Sequence, residues 1–383
     1  MMVAGEPSGD AHAAKVVREL KIIEPETEFE FFGAAGPALR DAGVEPVIRS
    51  DELSVVGLIE IGRVLPVFLR AFRKLRRAAA ARRPDAAVLV DFPDFNLKLA
   101  RSLKKQGIKV IYYISPQLWA WRKYRVSIVQ KYVDLMITIL PFEKAWYAEH
   151  GVMHVEYVGS PLAKEVFSER PKREFCHSHD LDHTRPIISL LPGSRSKEIS
   201  RILPVMLDAA ASMLAADGGL QFIVACGTTS AKHQARTIID RVQLHRPDLI
   251  GRSVIVENET FDALNASNAA AVTSGTATLE TGIIGTPMVV VYRTSKTNYS
   301  LLEPLINVDH YGMINLIAGK RAVTELIQDA LTPETLAAEL HRLLDPLVNE
   351  TVRAELRDAV EKLGRGGASK RAAEAIIRTI DGE

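Results

Sequence analysis

Cysteine and net charge are both scarce in this chain of 383 residues. Its two cysteines, Cys176 and Cys226, give no disulfide framework, which is typical of a protein in a reducing cytoplasm. Lysine and arginine number 48 against 47 aspartates and glutamates, for a formal net charge of +1. Because there is no basic surplus, we expect no nucleic-acid partner, and charged ligands must be bound by local patches.

The chain also lacks a long apolar run. No stretch approaches the ~20 apolar residues needed to span a bilayer, and the first residues show no targeting segment. If lipids are its substrates, we expect it to reach them from the membrane surface. Hydrophobic residues still make up 47% of the chain, as in ordinary globular enzymes.

Short β-rich runs alternate with longer helical patterns along most of the sequence. The predicted strands cover 88–90, 110–114, 135–139, 187–191, 222–225, 253–256, 269–273 and 288–292. Apolar strands that alternate with helices are typical of parallel sheets covered on both faces. The polar segment 168–186 separates two such series and is interpreted as a linker. The sequence therefore predicts an α/β protein with two Rossmann-like domains that face each other across a cleft.

Two turns of the first domain carry carboxylates where strands end, which is where ligands of parallel sheets bind. Glu6 and Ser8 follow the first strand, and Asp91 and Asp94 follow the strand at 88–90. A carboxylate there can accept a proton from an attacking hydroxyl group if its environment raises its pKa. Helix capping is the alternative, by Ser8 or Asp10 in the first turn and by Asp94 or Asn96 in the second. 

The segment 115–122 follows another strand and combines Gln117, Trp119, Trp121 and Arg122. Aromatic rings beside an arginine suit sugar stacking or contact with a membrane interface. Packing of both tryptophans into the core is an equally good interpretation. Gln117 is the candidate substrate-binding residue of this segment.

Two turns of the second domain have the composition of anion sites. One turn precedes a helix and consists of Gly193, Ser194 and Arg195. The other also precedes a helix and consists of Ser274, Gly275 and Thr276, with Glu280 one helical turn further on. Helix N-termini and a guanidinium group can hold a diphosphate, and Glu280 could hold a ribose diol or be a solvated helix residue. The first turn lacks the endings of a P-loop and of a dinucleotide fingerprint, so neither ATP nor NAD is the expected ligand.

The segment 65–83 is strongly amphipathic. Leucines and phenylalanines fall on one helical face and basic residues on the other. A surface helix that covers its own core would show this pattern, but so would a helix that lies on anionic lipid, which we favour. The candidate membrane contacts are Val56, Leu58, Phe68, Leu69, Phe72 and Arg73.

The linker contains residues of metal-binding type. Cys176, His177, His179 and His183 match no standard zinc spacing, and the Asp-Leu-Asp at 180–182 is distant from any strand end. We therefore expect a solvated loop here and no metal site in the protein.

Taken together, these segments resemble the lipid-A-disaccharide synthase family. The matching motifs occur in the family's order and spacing over nearly the whole chain. They are AGEPSGD at 4–10, DFPDFN at 91–96, SPQLWAW at 115–121, LPFEKAWY at 140–147, LLPGSR at 190–195, SGTATLE at 274–280, MVVVYR at 288–293 and NLIAGK at 315–320.

The resemblance implies a GT-B fold with three parts. Residues 1–165 would form the acceptor- and membrane-facing domain, and 166–345 the UDP-sugar-binding domain. Residues 346–383 would be helices that cross back to the first domain. The implied protein is cytoplasmic and peripheral on the inner face of the cytoplasmic membrane, with an undefined oligomeric state.

The implied reaction joins UDP-2,3-diacylglucosamine to 2,3-diacylglucosamine 1-phosphate and inverts the anomeric carbon. In our hypothesis the base is Asp91, with Asp94 as second choice, while Glu6 and Ser8 position the acceptor. Arg195, Ser194 and the amides at 274–276 stabilise UDP, Glu280 holds the ribose and Asn315 lines the donor pocket. Neither metal nor cofactor is needed, because guanidinium and helix N-termini supply positive charge.

Two departures from the family pattern leave room for an altered acyl or sugar preference. Ser160 replaces a usual histidine, and Met313-Ile314 precede Asn315 where Leu-Pro is common. Independently of these departures, two other classes of function stay open. One is a different GT-B enzyme, such as a UDP-sugar epimerase or a glycosyltransferase with a soluble acceptor. The other is a non-catalytic UDP-sugar-binding or membrane-scaffold protein.

Overall fold

The computed structural model describes the chain except residues 52–60, 298, 300–307, 365 and 383, and the side chains of 61–65. The chain divides into two compact units, Met1–Pro161 with Arg365–Glu383, and Leu162–Gly364. Of the C-terminal helices expected to cross back to the first domain, Ala368–Asp381 groups with the first unit, whereas Pro346–Glu361 groups with the second.

The first unit contains a seven-stranded parallel sheet in the order β3-β2-β1-β4-β5-β6-β7. Its strands are β1 (Met2–Ala4), β2 (Phe32–Ala35), β3 (Glu45–Arg49), β4 (Ala86–Val90), β5 (Lys109–Tyr113), β6 (Leu135–Thr138) and β7 (Val155–Tyr157). Every strand pair is parallel, as the apolar runs predicted. The sequence did not predict β2, β3 and β7.

Helices cover both faces of this sheet. They are α1 (Pro7–Ile23), α2 (Pro37–Asp41), α3 (Ile61–Arg82), α4 (Pro93–Lys104), α5 (Val126–Tyr132) and α6 (Glu143–Glu149). One core lies between the sheet and α3, α4, α5 and α6, and a second core lies between the opposite face and α1. Alternate side chains of the central strands enter the two cores, so Leu89 and Tyr112 lie on one side, and Val90 and Tyr113 on the other.

The second unit contains a six-stranded parallel sheet in the order β10-β9-β8-β11-β12-β13. Its strands are β8 (Ile187–Leu191), β9 (Gln221–Cys226), β10 (Ser253–Glu257), β11 (Ala269–Thr273), β12 (Met288–Tyr292) and β13 (Glu325–Ile327). Its helices are α7 (Leu162–Glu165), α8 (Lys172–Ser178), α9 (Ser196–Ala216), α10 (Thr229–Gln243), α11 (Thr260–Ala266), α12 (Thr276–Ile284), α13 (Met313–Ala318), α14 (Pro333–Leu344) and α15 (Pro346–Glu361).

The last helix, α16 (Ala368–Asp381), packs in the first unit beside α1. Ala372, Ala373 and Ile376 are buried there. Lys109 donates hydrogen bonds to the carbonyl groups of Thr379 at 2.8 Å and Ile380 at 2.7 Å. These bonds satisfy carbonyls that the end of a helix leaves unpaired, so β5 fixes the end of α16.

The expectation of a solvated loop at 168–186 is wrong for its central part. Residues 172–178 form α8, in which Phe175 and Cys176 are buried. Arg170 holds this segment to α11 through an ion pair with Asp262 at 2.9 Å. Among the described residues, no group of three histidines, cysteines or acidic residues is placed to hold a metal.

One described helix, α9, is long and apolar enough to cross a membrane by length and composition alone. In its most apolar window, 61% is buried inside the second unit. This burial explains its composition, because a core helix needs apolar residues on several faces.

The strand order reverses between β1 and β4 in the first sheet and between β8 and β11 in the second. In open parallel sheets, ligands bind beyond the carboxyl ends of the strands at this switch point. Each unit therefore has one position where a site is expected.

Candidate functional site

The first switch point brings Glu6 and Asp91 to one edge of the sheet. Ala4 of β1 lies opposite Val90 of β4, so the turns that follow these strands emerge side by side. Glu6 is exposed at the start of α1, whereas Asp91 is half-buried. Both residues were predicted from the sequence as catalytic candidates, and the structure places them together.

The surroundings of Asp91 give its carboxyl group a pKa suited to a general base. Burial, and after it the negative charge of Glu6, raises its pKa to about 6, while a hydrogen bond from the Phe92 backbone lowers it. A carboxyl group with this pKa is mostly ionised at neutral pH and is more basic than an ordinary aspartate.

The turn that carries Asp91 has an unusual backbone. Asp91 and Phe92 have φ angles of +48° and +52°, a left-handed conformation that costs non-glycine residues about 1–3 kcal/mol each. The Phe92 ring fills the space beside Gly5, where an added Cβ atom would lie 2.3 Å from the ring. The same ring packs against Phe68 and Phe95. Gly5 thus makes room for the turn that presents Asp91.

Asp94 lies in a different environment. Its side chain is 64% exposed and forms ion pairs with Arg122, at 2.9 Å, and with Arg125. Burial alone would raise the pKa of Asp94, but hydrogen bonds and charges from Arg125 and Arg122 lower it. A paired carboxylate with a lowered pKa is a poor proton acceptor, so the geometry favours Asp91 over Asp94 as a base.

Ser8 and Gln117 are exposed, in the first turn of α1 and in the loop after β5 respectively. Asp10 does not cap α1, because it is buried inside that helix and binds the start of α2 instead. Its carboxylate accepts hydrogen bonds from the N–H groups of Gly36 at 2.6 Å and Ala38 at 2.8 Å. Asp10 therefore joins two helices and has a structural role.

The two tryptophans of the loop after β5 have opposite environments. Trp119 is buried and donates a hydrogen bond to Glu143 at 3.2 Å. Burial raises the pKa of Glu143 to about 7, although hydrogen bonds from the Leu140 backbone and Trp119 lower it. Trp121 is exposed, and the guanidinium group of Arg122 lies over its ring at 4.1 Å. One tryptophan anchors the loop in the core and the other faces outward.

The second switch point contains a cavity of about 380 Å³. Its lining includes the candidates Ser194, Arg195, Ser274, Gly275, Thr276 and Glu280. Gly227 and Thr260, which were not predicted from the sequence, follow β9 and β10 and also line the cavity. Only their positions after predicted strands could have indicated them, because neither belongs to a recognisable motif.

Backbone geometry shapes the cavity walls. Gly193 has a φ angle of +102°, and a Cβ atom there would lie 2.7 Å from the carboxylate of Glu198. Glu198 in turn accepts a hydrogen bond from the N–H of Arg195 at 3.3 Å. Gly275, with a φ angle of +147°, precedes the first residue of α12, Thr276. The unpaired N–H groups of a helix start favour an anion here.

Arg195 and Glu280 supply the opposite charges of this cavity. The Arg195 side chain is 82% exposed and pairs with Glu198 at 3.3 Å, a surface contact weak enough for the guanidinium group to turn toward an anion. Burial raises the pKa of Glu280. The Ser274 hydroxyl donates to the carbonyl of Tyr311 at 2.6 Å, so this side chain fixes the cavity wall.

Asn315 does not line the cavity, and this sequence-based expectation is corrected. Its side chain is completely buried, donates to the carbonyl of Val323 and to Glu325, and accepts from the N–H of Val323, each at 2.9 Å. Glu325 also accepts from the N–H of Tyr311 at 3.0 Å. Asn315 therefore supports the segment that Ser274 contacts.

The aromatic residues predicted to touch a membrane are directed inward. Phe68 and Phe72 of α3 are half-buried and pack against Phe92 and Phe95. Leu69 is 46% exposed, and it borders a groove of about 510 Å³ lined by Pro66, Leu69, Arg70, Arg73, Lys74 and Arg77. Val56 and Leu58 lie outside the described residues. The outer surface of α3 is thus more basic and less apolar than expected.

Two doubly wound parallel sheets are the arrangement of the GT-B class of glycosyltransferase folds. A putative UDP-N-acetylglucosamine 2-epimerase from Listeria monocytogenes has this fold with a TM-score of 0.65 and 15% identity, over 100% of this chain and 96% of that chain. A glycosyltransferase from Rickettsia africae has a TM-score of 0.61 and 11% identity, over 100% of this chain and 98% of that chain. At these identities the similarity concerns the fold alone.

The family is defined by closer relatives. The model of the lipid-A-disaccharide synthetase family matches residues 1–378. The lipid-A-disaccharide synthase of Geobacter metallireducens is 40% identical over 383 residues, which cover 99% of this chain and 97% of that protein. The chain belongs to the lipid-A-disaccharide synthetase family, and is a glycosyltransferase of lipid A biosynthesis.

Proposed function

We propose that this protein condenses UDP-2,3-diacylglucosamine with 2,3-diacylglucosamine 1-phosphate, forming the β-1′,6-linked disaccharide 1-phosphate and UDP. Family membership and the candidate base at the first switch point support this reaction. The observation that carries the mechanism is the Asp91 carboxyl group, whose pKa is raised to about 6 at a strand end. The epimerase alternative is supported only by similarity of fold.

In the proposed reaction, Asp91 takes the proton of the acceptor 6-hydroxyl group as that oxygen attacks C1 of the donor. The C1–O bond to UDP breaks on the opposite side, so the anomeric carbon is inverted. Glu6 raises the basicity of Asp91 and, with Ser8 and Gln117, positions the acceptor. Asp94, held by two arginines, orients the start of α4 and is not the base.

The second unit binds the donor in this proposal. Arg195, Ser194 and the start of α12 stabilise the diphosphate, on which negative charge increases as the bond to C1 breaks. Glu280 accepts hydrogen bonds from the ribose hydroxyl groups. This arrangement supplies positive charge from the chain's own groups.

The outer face of α3 is the proposed membrane contact. Exposed Leu69 and the basic groups of Arg70, Arg73, Lys74 and Arg77 suit the headgroups of anionic lipids. This contact would hold the protein at the cytoplasmic surface of the inner membrane, where acylated substrates reside.

The proposal is tested by UDP release from UDP-2,3-diacylglucosamine in mixed micelles, with and without the acceptor. Acceptor-dependent release with an equal amount of disaccharide is expected. UDP binding without turnover would contradict the assignment of the acceptor, and release that is independent of acceptor would indicate a hydrolase.

A further inference from the structure

The turn that carries Asp91 is held by a buried phenol. The hydroxyl group of Tyr112 donates a hydrogen bond of 2.6 Å to the backbone carbonyl of Asp91. Tyr112 lies on β5, next to β4, and its side chain is completely buried.

The hydrogen bond from Tyr112 acts on a segment whose backbone conformation is unfavourable by itself. The left-handed conformations at Asp91 and Phe92 persist only when the surroundings fix them. The same Asp91 carbonyl accepts a second hydrogen bond, at 2.8 Å, from the amide of Asn96, which also donates to the carbonyl of Val90 at 3.1 Å. Both donors therefore act on the carbonyl group of the residue that carries the proposed base.

The chemistry of Tyr112 makes it a reliable donor. Burial, and after it the negative charge of Asp91, raises the pKa of Tyr112 far above its ordinary value. The phenol therefore keeps its proton at every pH at which the enzyme would work.

We propose that Tyr112 is a positioning residue, whose hydrogen bond to the Asp91 carbonyl holds the turn so that the Asp91 carboxylate stays beside Glu6 and meets the acceptor hydroxyl group. This inference rests on the proposed function of Asp91. Tyr112 itself does not touch the substrate, because its side chain is completely buried.

Tyr112→Phe removes only the hydroxyl oxygen. The Asp91 carbonyl keeps its bond from Asn96, so no buried acceptor is left unpaired. Tyr147→Phe is the matched control, since Tyr147 is equally buried in the same core and its hydroxyl group bonds to Ser115 at 2.9 Å. Turnover, KM and thermal unfolding are measured for both variants.

We expect Tyr112→Phe to lower kcat about tenfold, as for the loss of one positioning hydrogen bond, with KM values of both substrates nearly unchanged. Tyr147→Phe should keep the original kcat. A Tyr112→Phe enzyme with unchanged kcat overturns the proposal. Equal losses of kcat in both variants overturn it too, since they would reflect general loosening of the core.

A titration without substrate separates this proposal from the proposed function. The ¹³C-labelled Asp91 carboxyl group, assigned with Asp91→Asn, should titrate near pH 6 in the parent protein. In Tyr112→Phe its pKa should fall toward the ordinary value, because a relaxed turn exposes the carboxylate and moves it from Glu6. An unchanged midpoint in Tyr112→Phe contradicts the positioning role, whether or not the parent protein forms disaccharide.

Discussion

At the residue scale, environment separates aspartates that look alike in the sequence. Asp91 and Asp94 stand three positions apart in one motif. Asp91 is half-buried beside the charge of Glu6, while Asp94 is exposed and paired with two arginines. Opposite shifts of the two pKa values follow from these surroundings, and the proposed roles of the two residues differ accordingly.

The raised pKa of Asp91 predicts the pH dependence of the reaction. A base must be deprotonated, so kcat/KM should rise with pH through about 6 and level off above it. Glu6→Gln removes the negative charge beside Asp91 and should lower the pKa of Asp91. The rise of kcat/KM should then occur at lower pH. Burial is the larger cause of the raised pKa, so the midpoint of this rise should stay above the ordinary aspartate pKa of 3.8.

Rates of acceptor-dependent UDP release between about pH 4 and about pH 8, roughly two units either side of the expected midpoint, give this profile. Glu19→Gln is a matched control, because Glu19 lies on the same helix, α1, farther from its start. A rise that occurs at the same pH in Glu6→Gln would contradict the electrostatic role of Glu6.

The sequence identified most of these residues by type and position but not by environment. Carboxylates after strands were recognisable because parallel strands present their carboxyl ends at one edge. Asn315 was misplaced because nothing in its motif indicates that Val323 and Glu325 surround its amide. Likewise, the bond from Tyr112 to the Asp91 carbonyl joins two strands and leaves no local pattern.

At the element scale, α3 shows how an amphipathic pattern divides between core and surface. Ala71, Leu75 and Ala79 are buried, and the aromatic residues beside them cover α4. The helical period predicted the helix correctly. It could not predict how much of the apolar face α4 would occupy, since that depends on tertiary packing.

We predict that Arg73→Glu with Lys74→Glu weakens binding to vesicles of anionic lipid. Basic residues near such a surface contribute about 1 kcal/mol each, so the double reversal should lower the partition coefficient by at least about tenfold. Sedimentation of the protein with vesicles at two salt concentrations measures this. The effect should shrink at high salt.

The matched control is Arg236→Glu with Arg241→Glu, an exposed basic pair on α10 of the second unit. Equal losses in both double variants would indicate a nonspecific charge effect and would contradict a membrane contact at α3.

The strands with strong apolar runs were predicted within a residue or two, but β2, β3, β7 and β13 were not. β7 and β13 have only three residues each, and β3 is mostly exposed and contains Pro46. Such short or edge strands depend on neighbours in the sheet more than on their own composition. The helix α8 was not predicted, because polar residues surround the buried Phe175 and Cys176 in the sequence.

At the scale of the whole molecule, the proposal assigns donor and acceptor to different units. The fold class could be predicted from the alternation of strands and helices and from the family motifs. The exact unit boundaries could not, because the grouping of α15 with the second unit, instead of with α16 in the first, depends on tertiary contacts.

Because the donor and the acceptor are assigned to different units, a substitution in the donor site should weaken UDP binding and leave vesicle binding unchanged. Arg195→Ala should weaken UDP binding by about tenfold or more, since a charge-assisted bond to the diphosphate is lost, while vesicle binding stays unchanged. Calorimetry with UDP and sedimentation with vesicles measure the two properties. Arg201→Ala is the control, because Arg201 lies on α9, the helix that Arg195 precedes. Unchanged UDP affinity in Arg195→Ala would contradict the assigned donor site.

The central claim is that Asp91 is the base of a glycosyl transfer, and Asp91→Asn tests it most directly, with Asp94→Asn as the comparison. The measurement is kcat for disaccharide formation together with the Kd for UDP. We predict that Asp91→Asn lowers kcat by about 10²–10⁴-fold and leaves the Kd for UDP unchanged, whereas Asp94→Asn has a much smaller effect on kcat. A kcat in Asp91→Asn close to that of the parent protein would contradict the claim.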